Sequence, residues 1–174
     1  ALRYHLERIG DLSTVVAPPY DVISPQQQDQ LYHASPYNII RLIYGKQFPD
    51  DTDSDNHYTR AKQAFDDWRR EGVLVRDEHP AIYLYEHTFT WQDQSCCRLG
   101  CVGLLEFAGS VPGQVFPHEA TFGAPKADRA RRWDVVQACQ NPIFCVLSDP
   151  SRQLHPLLPQ WKESSRPLAT ARLV

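Results

Sequence analysis

The run DNHYTRAKQAFDDWRREG, residues 55–72, decides how the rest of the chain is read. Tyr58, Ala61, Phe65 and Trp68 recur in it at 3-4-3 spacing. That spacing puts four apolar side chains on one stripe of an amphipathic helix and leaves the charged residues to the other faces. Gly72 stands where a C-cap glycine belongs. A helix with one apolar stripe must bury it, so the neighbouring segments are read for a surface to receive it. Downstream, Ala81–Phe89 and Arg98–Phe107 read as strands, and the polar stretch TWQDQSCC, residues 90–97, is short enough for a hairpin connection. Upstream, Asn38–Tyr44, NIIRLIY, is rich in β-branched residues and reads as another strand. Gly45–Asp53 is polar and turn-like and reads as a mobile loop.

Further out, VVAPPYDVIS, residues 15–24, is an extended loop, because Pro18 and Pro19 fix their own φ and bias the residue before them away from helix. Ser24-Pro25-Gln26-Gln27 then opens a helix that runs to about Ala34: Ser24 caps, Pro25 suits the first helical position, and Gln27 completes a capping box. Pro112–Phe122 is loop-like. Gly123–Gln140 reads as a helix with Pro125 near its first turn and with Trp133, Val135 and Val136 available for burial, ended by Asn141-Pro142. Ile143–Leu147 reads as a strand, a short helix follows Ser151, and Arg166–Val174 reads as the entry to a further strand. The expected fold is α/β or α+β: the strands near Asn38–Tyr44, Ala81–Phe89, Arg98–Phe107 and Ile143–Leu147 share one mixed sheet with helices packed around it. Residues 1–174 read as a single N-terminal domain, a fragment of a longer protein, with a strand near 166–174 entering a further domain.

Composition narrows the class. Apolar residues make up 42% and charged residues 22% of the 174, enough for a packed core and unlike a disordered chain. A net charge of −3 gives no global attraction to nucleic acid or to an anionic membrane, so no nucleic-acid partner is expected and an anion site has to be local. No apolar run approaches the roughly 20 residues of a membrane helix, and ALRYHLERIGDL at the start is not a signal-peptide core. The five cysteines are odd in number and none pairs at C-x-x-C spacing. Free thiols fit a reducing, cytoplasmic setting, with the cysteines acting as small hydrophobes on strands rather than as metal ligands.

The stretch Phe116–Arg129 carries the most chemistry. A polar loop leads directly into a helix whose early turns hold Lys126 and Arg129, followed by Arg131 and Arg132. Cations there oppose the helix dipole, which prefers carboxylates. A phosphate or carboxylate ligand reverses that penalty, because it meets open backbone N–H groups and side-chain cations together. Lys126 and Arg129 stand three apart and share a face. Thr121 lies just before them. The competing reading is a solvated helix face with local ion pairs, such as Asp128 with Arg131 or Arg132. His118 and Glu119 in the loop are the candidate catalytic pair, as general base or as a carboxylate beside a metal-bound substrate; the alternative is a loop pair bonded to its own backbone. The spacing is neither that of a zincin nor that of a Walker A loop.

The second candidate is Pro18-Pro19-Tyr20-Asp21. A stiffened loop presents Tyr20 and Asp21 in a fixed pose, or simply makes a rigid turn with Tyr20 packed and Asp21 capping a neighbour. Asn38 and Arg41, at the head of the expected strand, either join a site or solvate the strand end.

Taken in order, Ala17-Pro18-Pro19-Tyr20-Asp21-Val22-Ile23, Ser35-Pro36-Tyr37-Asn38-Ile39-Ile40-Arg41-Leu42, Trp68 with Glu71-Gly72-Val73-Leu74, Pro80-Ala81-Ile82-Tyr83-Leu84-Tyr85, and Pro117-His118-Glu119 with Thr121, Pro125-Lys126 and Asp128-Arg129 form a pattern. It resembles the bacterial and archaeal family of conserved hypothetical proteins called domain of unknown function 1015, across about Ala17 to Asp149. The resemblance implies a cytoplasmic protein. Members are longer, and their C-terminal part carries an Asp-Gly-His-His-Arg motif similar to one in the ParB/sulfiredoxin-like fold, which includes an ADP-dependent free-serine kinase. That motif does not occur in this sequence. By this route the expectation is half of a composite phosphate- or nucleotide-binding site in a small-molecule, kinase-like phosphotransferase. ATP or ADP with Mg would be its cofactor and a small phosphorylated ligand its partner. The alternatives are a non-catalytic binding or regulatory module, and a structural domain that supports a downstream catalytic half. No metal ligand set is assigned.

Overall fold

A computed structural model of the protein describes residues 1–105, 116 and 123–172. The fold is α+β and divides into two units. The first comprises Ala1–Asp77, Glu119–Asn141 and Ala169–Val174, the second Glu78–His118 and Pro142–Leu168.

In the first unit the order is β1 (Leu2–Tyr4), α1 (Leu6–Ile9), α2 (Pro25–Ala34), α3 (Ile40–Ile43), α4 (His57–Arg70), β2 (Leu74–Arg76) and α5 (Gly123–Val136). β1 and β2 pair antiparallel, Arg3 opposite Val75. The helix read from residues 55–72 is α4, and its stripe is buried as expected: Tyr58, Ala61, Phe65 and Trp68 all face inward. Trp68, 4% exposed, joins Leu42, Ile43, Val73, Leu74 and Val136 in the core. The rings of Tyr4 and Tyr37 pack on Trp68 at 6.2 and 6.0 Å. The chain leaves α4 through Gly72 at φ +71°, a backbone state that costs glycine little. There the N–H of Val73 bonds Trp68 O at 2.8 Å and that of Gly72 bonds Arg69 O at 3.3 Å, the paired bonds of a Schellman stop. α2 opens with the expected capping box of Ser24 and Gln27.

One expectation fails in this unit. Asn38–Tyr44 is not a strand: residues 40–43 form the helical turn α3, with Ile40, Leu42 and Ile43 buried. The cause is the side chain of Asn38, which is fully buried. Its amide donates to Thr14 O at 2.8 Å and Val16 O at 3.0 Å, while its Oδ1 accepts from the N–H of Ile40 at 3.0 Å, which turns the chain into a helix. The loop 45–53, read as mobile, is bonded to Arg60 of α4. That guanidinium donates to Lys46 O at 3.0 Å, to Asp51 at 2.7 Å and to Asp55 at 2.7 Å.

The second unit holds β3 (Tyr83–Trp91), β4 (Gln94–Val102) and α6 (Leu157–Ser164). β3 and β4 form a hairpin with Trp91 opposite Gln94 and His87 opposite Arg98. Its connection is tighter than the eight-residue stretch expected. Only Gln92 and Asp93 turn, with φ of 47° and 60°, the two positive values of a type I′ turn. Lys162 of α6 pairs with Glu86 of β3 at 2.7 Å.

The α+β class stands, but a single mixed sheet does not. Among the described residues there are two separate two-stranded antiparallel sheets, β1–β2 and β3–β4. Ile143–Leu147 has no regular structure, and Ile143, Phe144, Val146 and Leu147 are exposed; no described strand offers it an edge bond. Residues 166–172 likewise form no strand, although the N–H of Arg172 donates to Ser13 Oγ at 3.0 Å. All five cysteines are free thiols. Cys96 and Cys97 are adjacent on β4 and so point to opposite faces of the hairpin. No helix among the described residues is long and apolar enough to cross a membrane.

Candidate functional site

The candidate site is built on α5. Its first turn contains no acidic residue, so the dipole there is unopposed by side-chain carboxylates. Lys126 is exposed and makes no hydrogen bond or ion pair among the described residues. Arg129, three residues on, reaches the other predicted segment. Its Nη2 donates to the Tyr20 hydroxyl at 2.8 Å, and its guanidinium carbon lies 4.8 Å from the centre of the Tyr20 ring. Tyr20 starts a 3-10 turn, Tyr20–Val22, immediately after Pro19, whose φ of −53° is set by its ring. The turn is stiff at its entry, and the half-buried Tyr20 ring also leans on Tyr44 at 6.3 Å. Tyr20, entered through the double proline, thus meets a cation 109 residues away in the chain.

Asp21, beside it, is exposed and makes no described hydrogen bond, so it does not cap a neighbour. Among the described residues Arg129 has a phenol and no carboxylate as partner, so its charge is uncompensated. His118, Glu119 and Thr121 lie outside the described residues.

The remaining residues of the helix do different work. Asp128 faces the other way, toward α4. It accepts from the Tyr58 hydroxyl at 2.6 Å and pairs with Arg132 at 3.5 Å. Arg132, 7% exposed, is the one buried Lys or Arg among the described residues, and its Nη1 donates to Leu42 O at 3.0 Å. Arg131 lies with its guanidinium carbon 5.1 Å from the centre of the Tyr58 ring. The ion-pair alternative is thus realised at Asp128 and Arg132, while Lys126 and Arg129 stay outside it. Burial works to raise the Asp128 carboxyl, but the Tyr58 hydroxyl and Arg132 outweigh it and hold the group below its ordinary range. Tyr58 is pushed up, first by burial and then by its bond to Asp128.

His57 closes this cluster. It is 9% exposed and its Nε2, buried and without a hydrogen-bond partner, stops 3.8 Å from Asp128. Burial first, then Arg132, depresses its pKa, against Asp128 and Asp51, which act to raise it.

Of the residues that sequence reasoning singled out, Lys126, Arg129, Tyr20 and Asp21 are described, and the structure brings Tyr20 and Arg129 together. That reasoning missed the structural role of Arg132 and the position of His57. The four-residue step from Asp128 to Arg132 was a visible signal for the first; nothing in the sequence marked the second. Trp133, read as a burial candidate, is 62% exposed, because Arg132 and Val136 occupy the inward stripe of α5.

An α+β protein with a cationic helix start set against a proline-stiffened tyrosine turn is what the geometry defines. The sequence profile of the family described as "Protein of unknown function (DUF1015)" matches residues 1–173, and the chain belongs to that family. No curated protein and no solved structure matches the chain.

Proposed function

We propose that the start of α5 binds a small anion, a phosphate or carboxylate, and that in the whole protein this forms half of a composite phosphate- or nucleotide-binding site of a kinase-like phosphotransferase. The observation that carries the reading is the Arg129–Tyr20 contact. It gives an uncompensated guanidinium a fixed position beside a helix start that has no acid in its first turn. Lys126 lies on the same face, and the adjacent Asp21 is open to solvent. An anion bound there is held by backbone N–H groups and by charge-assisted bonds, each worth about 1.5–3 kcal/mol when well formed. In this reading Glu119, with His118, is the candidate base, Thr121 a further ligand contact, and ATP or ADP with Mg the nucleotide.

Calorimetry with inorganic phosphate, ADP and MgATP tests it. The wild-type protein is expected to bind at least one of them, and the double variant Lys126→Ala/Arg129→Ala to lose that binding while keeping its thermal midpoint. Equal affinity in both proteins removes the site. A wild-type protein that binds none of the three favours a structural domain instead.

A further inference from the structure

The outward face of α5 continues past the cations into a side chain that the anion site does not use. Lys126, Ala130 and Trp133 follow one another at 4-3 spacing and form one stripe, with Arg129 on its flank. All four are exposed, Trp133 by 62%. Among the described residues the indole makes no hydrogen bond and stacks on no ring. The inward side of the helix is filled by others, Arg132 and Val136. A single exposed tryptophan needs no explanation by itself. Its place gives this one meaning. It stands one turn beyond Arg129, the guanidinium that bonds the Tyr20 hydroxyl at 2.8 Å. Helical side chains lean toward the N-terminus, so the ring covers the turn that carries Arg129 and Ala130. Ala130 projects only a methyl, which leaves a low shelf with Lys126 at one end and the indole at the other.

The length of the shelf selects among anions. Lys126 and Trp133 stand seven residues apart on one helix, about 10 Å along its axis at 1.5 Å per residue. That is close to the span from the terminal phosphate of an extended nucleoside diphosphate to its base. Free phosphate or a small carboxylate reaches only the cationic end and leaves the indole untouched. A nucleotide covers both. Every nucleobase has a π-face that stacks on an aromatic ring, and such stacking needs no particular set of hydrogen bonds. Arg129 lies between the two ends. With Nη2 on the Tyr20 hydroxyl, its other N–H groups are left for a phosphate oxygen.

We propose that Trp133 is the residue by which the α5 site tells a nucleotide from free phosphate: the base stacks on the indole while the phosphates lie on Arg129 and Lys126. The inference rests on the anion reading of α5 and adds to it the class of anion and the side chain that selects it. Stacking on one ring recognises a base without distinguishing among bases, so ADP and GDP bind alike. The selection is between ligands with a base and ligands without one.

Calorimetry with ADP, GDP and inorganic pyrophosphate, all with Mg, compares the wild-type protein with Trp133→Ala and Trp133→Phe. The wild type is expected to bind both nucleotides roughly 10-fold or more tightly than pyrophosphate. Trp133→Ala should lose that advantage, bind pyrophosphate as the wild type does, and keep its thermal midpoint, because the ring it removes is mostly in solvent. Trp133→Phe, which keeps a ring, should retain most of the advantage. Tryptophan fluorescence gives a second readout: ADP should quench it in the wild type and not in Trp133→Ala, and pyrophosphate should quench it in neither. A wild type that binds pyrophosphate as tightly as ADP, or a Trp133→Ala protein that still prefers ADP, overturns the proposal and leaves the anion site standing. A wild type that binds none of the three overturns both. A wild-type dimer that Trp133→Ala turns into a monomer overturns the proposal by assigning the face to a second copy of the chain.

Discussion

The two units differ in what holds them. In the first, α3, α4, β2 and α5 enclose Leu42, Ile43, Ala61, Phe65, Trp68, Val73, Leu74 and Val136. In the second, a hairpin and one short helix enclose nothing fully among the described residues, and Ile82, Leu104, Ile143, Phe144 and Val146 stand largely in solvent. A two-stranded hairpin is marginal alone in water, so the second unit depends on its turn chemistry, on the Arg98 guanidinium placed over the Phe89 and Phe144 rings at 5.5 and 5.2 Å, and on whatever covers its faces. The comparison teaches that apolar content is no measure of core. Both units are rich in large hydrophobic residues, and among the described residues only the first closes helices over them.

The sharpest way to break this contrast is to make matched truncations. Trp68→Ala removes a ring that is 4% exposed and should lower the unfolding free energy by roughly 3–5 kcal/mol in denaturant melts. Leu104→Ala, at a residue fully open to solvent, should fall within about 0.5 kcal/mol of wild type. Similar costs at the two positions would mean that the units are not built as described.

Between those extremes lies the α4–α5 contact. Asp128→Asn keeps the shape of the side chain but weakens its hold on the Tyr58 hydroxyl and on the buried Arg132. A loss of about 1–3 kcal/mol is expected in the same melts. An unchanged midpoint would show that Arg132 is satisfied by the Leu42 carbonyl alone.

The smallest effect is the titration of His57. Its pKa in the folded protein lies below the ordinary 6.5, so the unfolded chain binds the proton more readily. The sign follows: the contribution of His57 is fully present above pH 6.5 and is lost as pH falls below it toward the folded value. Asp51 and Asp128 act on the same ring and do not titrate in that window, because both carboxyls are held below their ordinary 3.8. His57→Gln should therefore flatten the fall in stability between neutral and mildly acid pH. A variant that keeps the full slope would place the proton uptake elsewhere.

What could be read from the sequence was local. The stripe of α4, its stop at Gly72, the capping box at Ser24 and the existence of the hairpin all follow from residues within a few positions of one another, and all are present. The misreadings have long-range causes. NIIRLI has the composition of a strand, yet the buried amide of Asn38, bonded to Thr14 and Val16 more than twenty residues away, makes it a helical turn. Arg132 looked like one more surface cation, yet it donates a hydrogen bond to the carbonyl of Leu42, 90 residues distant. The candidate site was legible in its parts. Lys126 and Arg129 stood out against the dipole, and Tyr20 behind two prolines. Their meeting was not legible, since no spacing rule links residues 20 and 129.

The claim that the start of α5 is an anion site can be tested residue by residue with amide chemical shifts of the ¹⁵N-labelled protein during titration with inorganic phosphate and then MgATP. The largest, saturable shifts are expected at the amides of Ala124 and Lys126 and at the turn holding Tyr20, and they should vanish in Lys126→Ala/Arg129→Ala. Shifts that do not saturate, or that centre on residues away from both segments, would contradict the account.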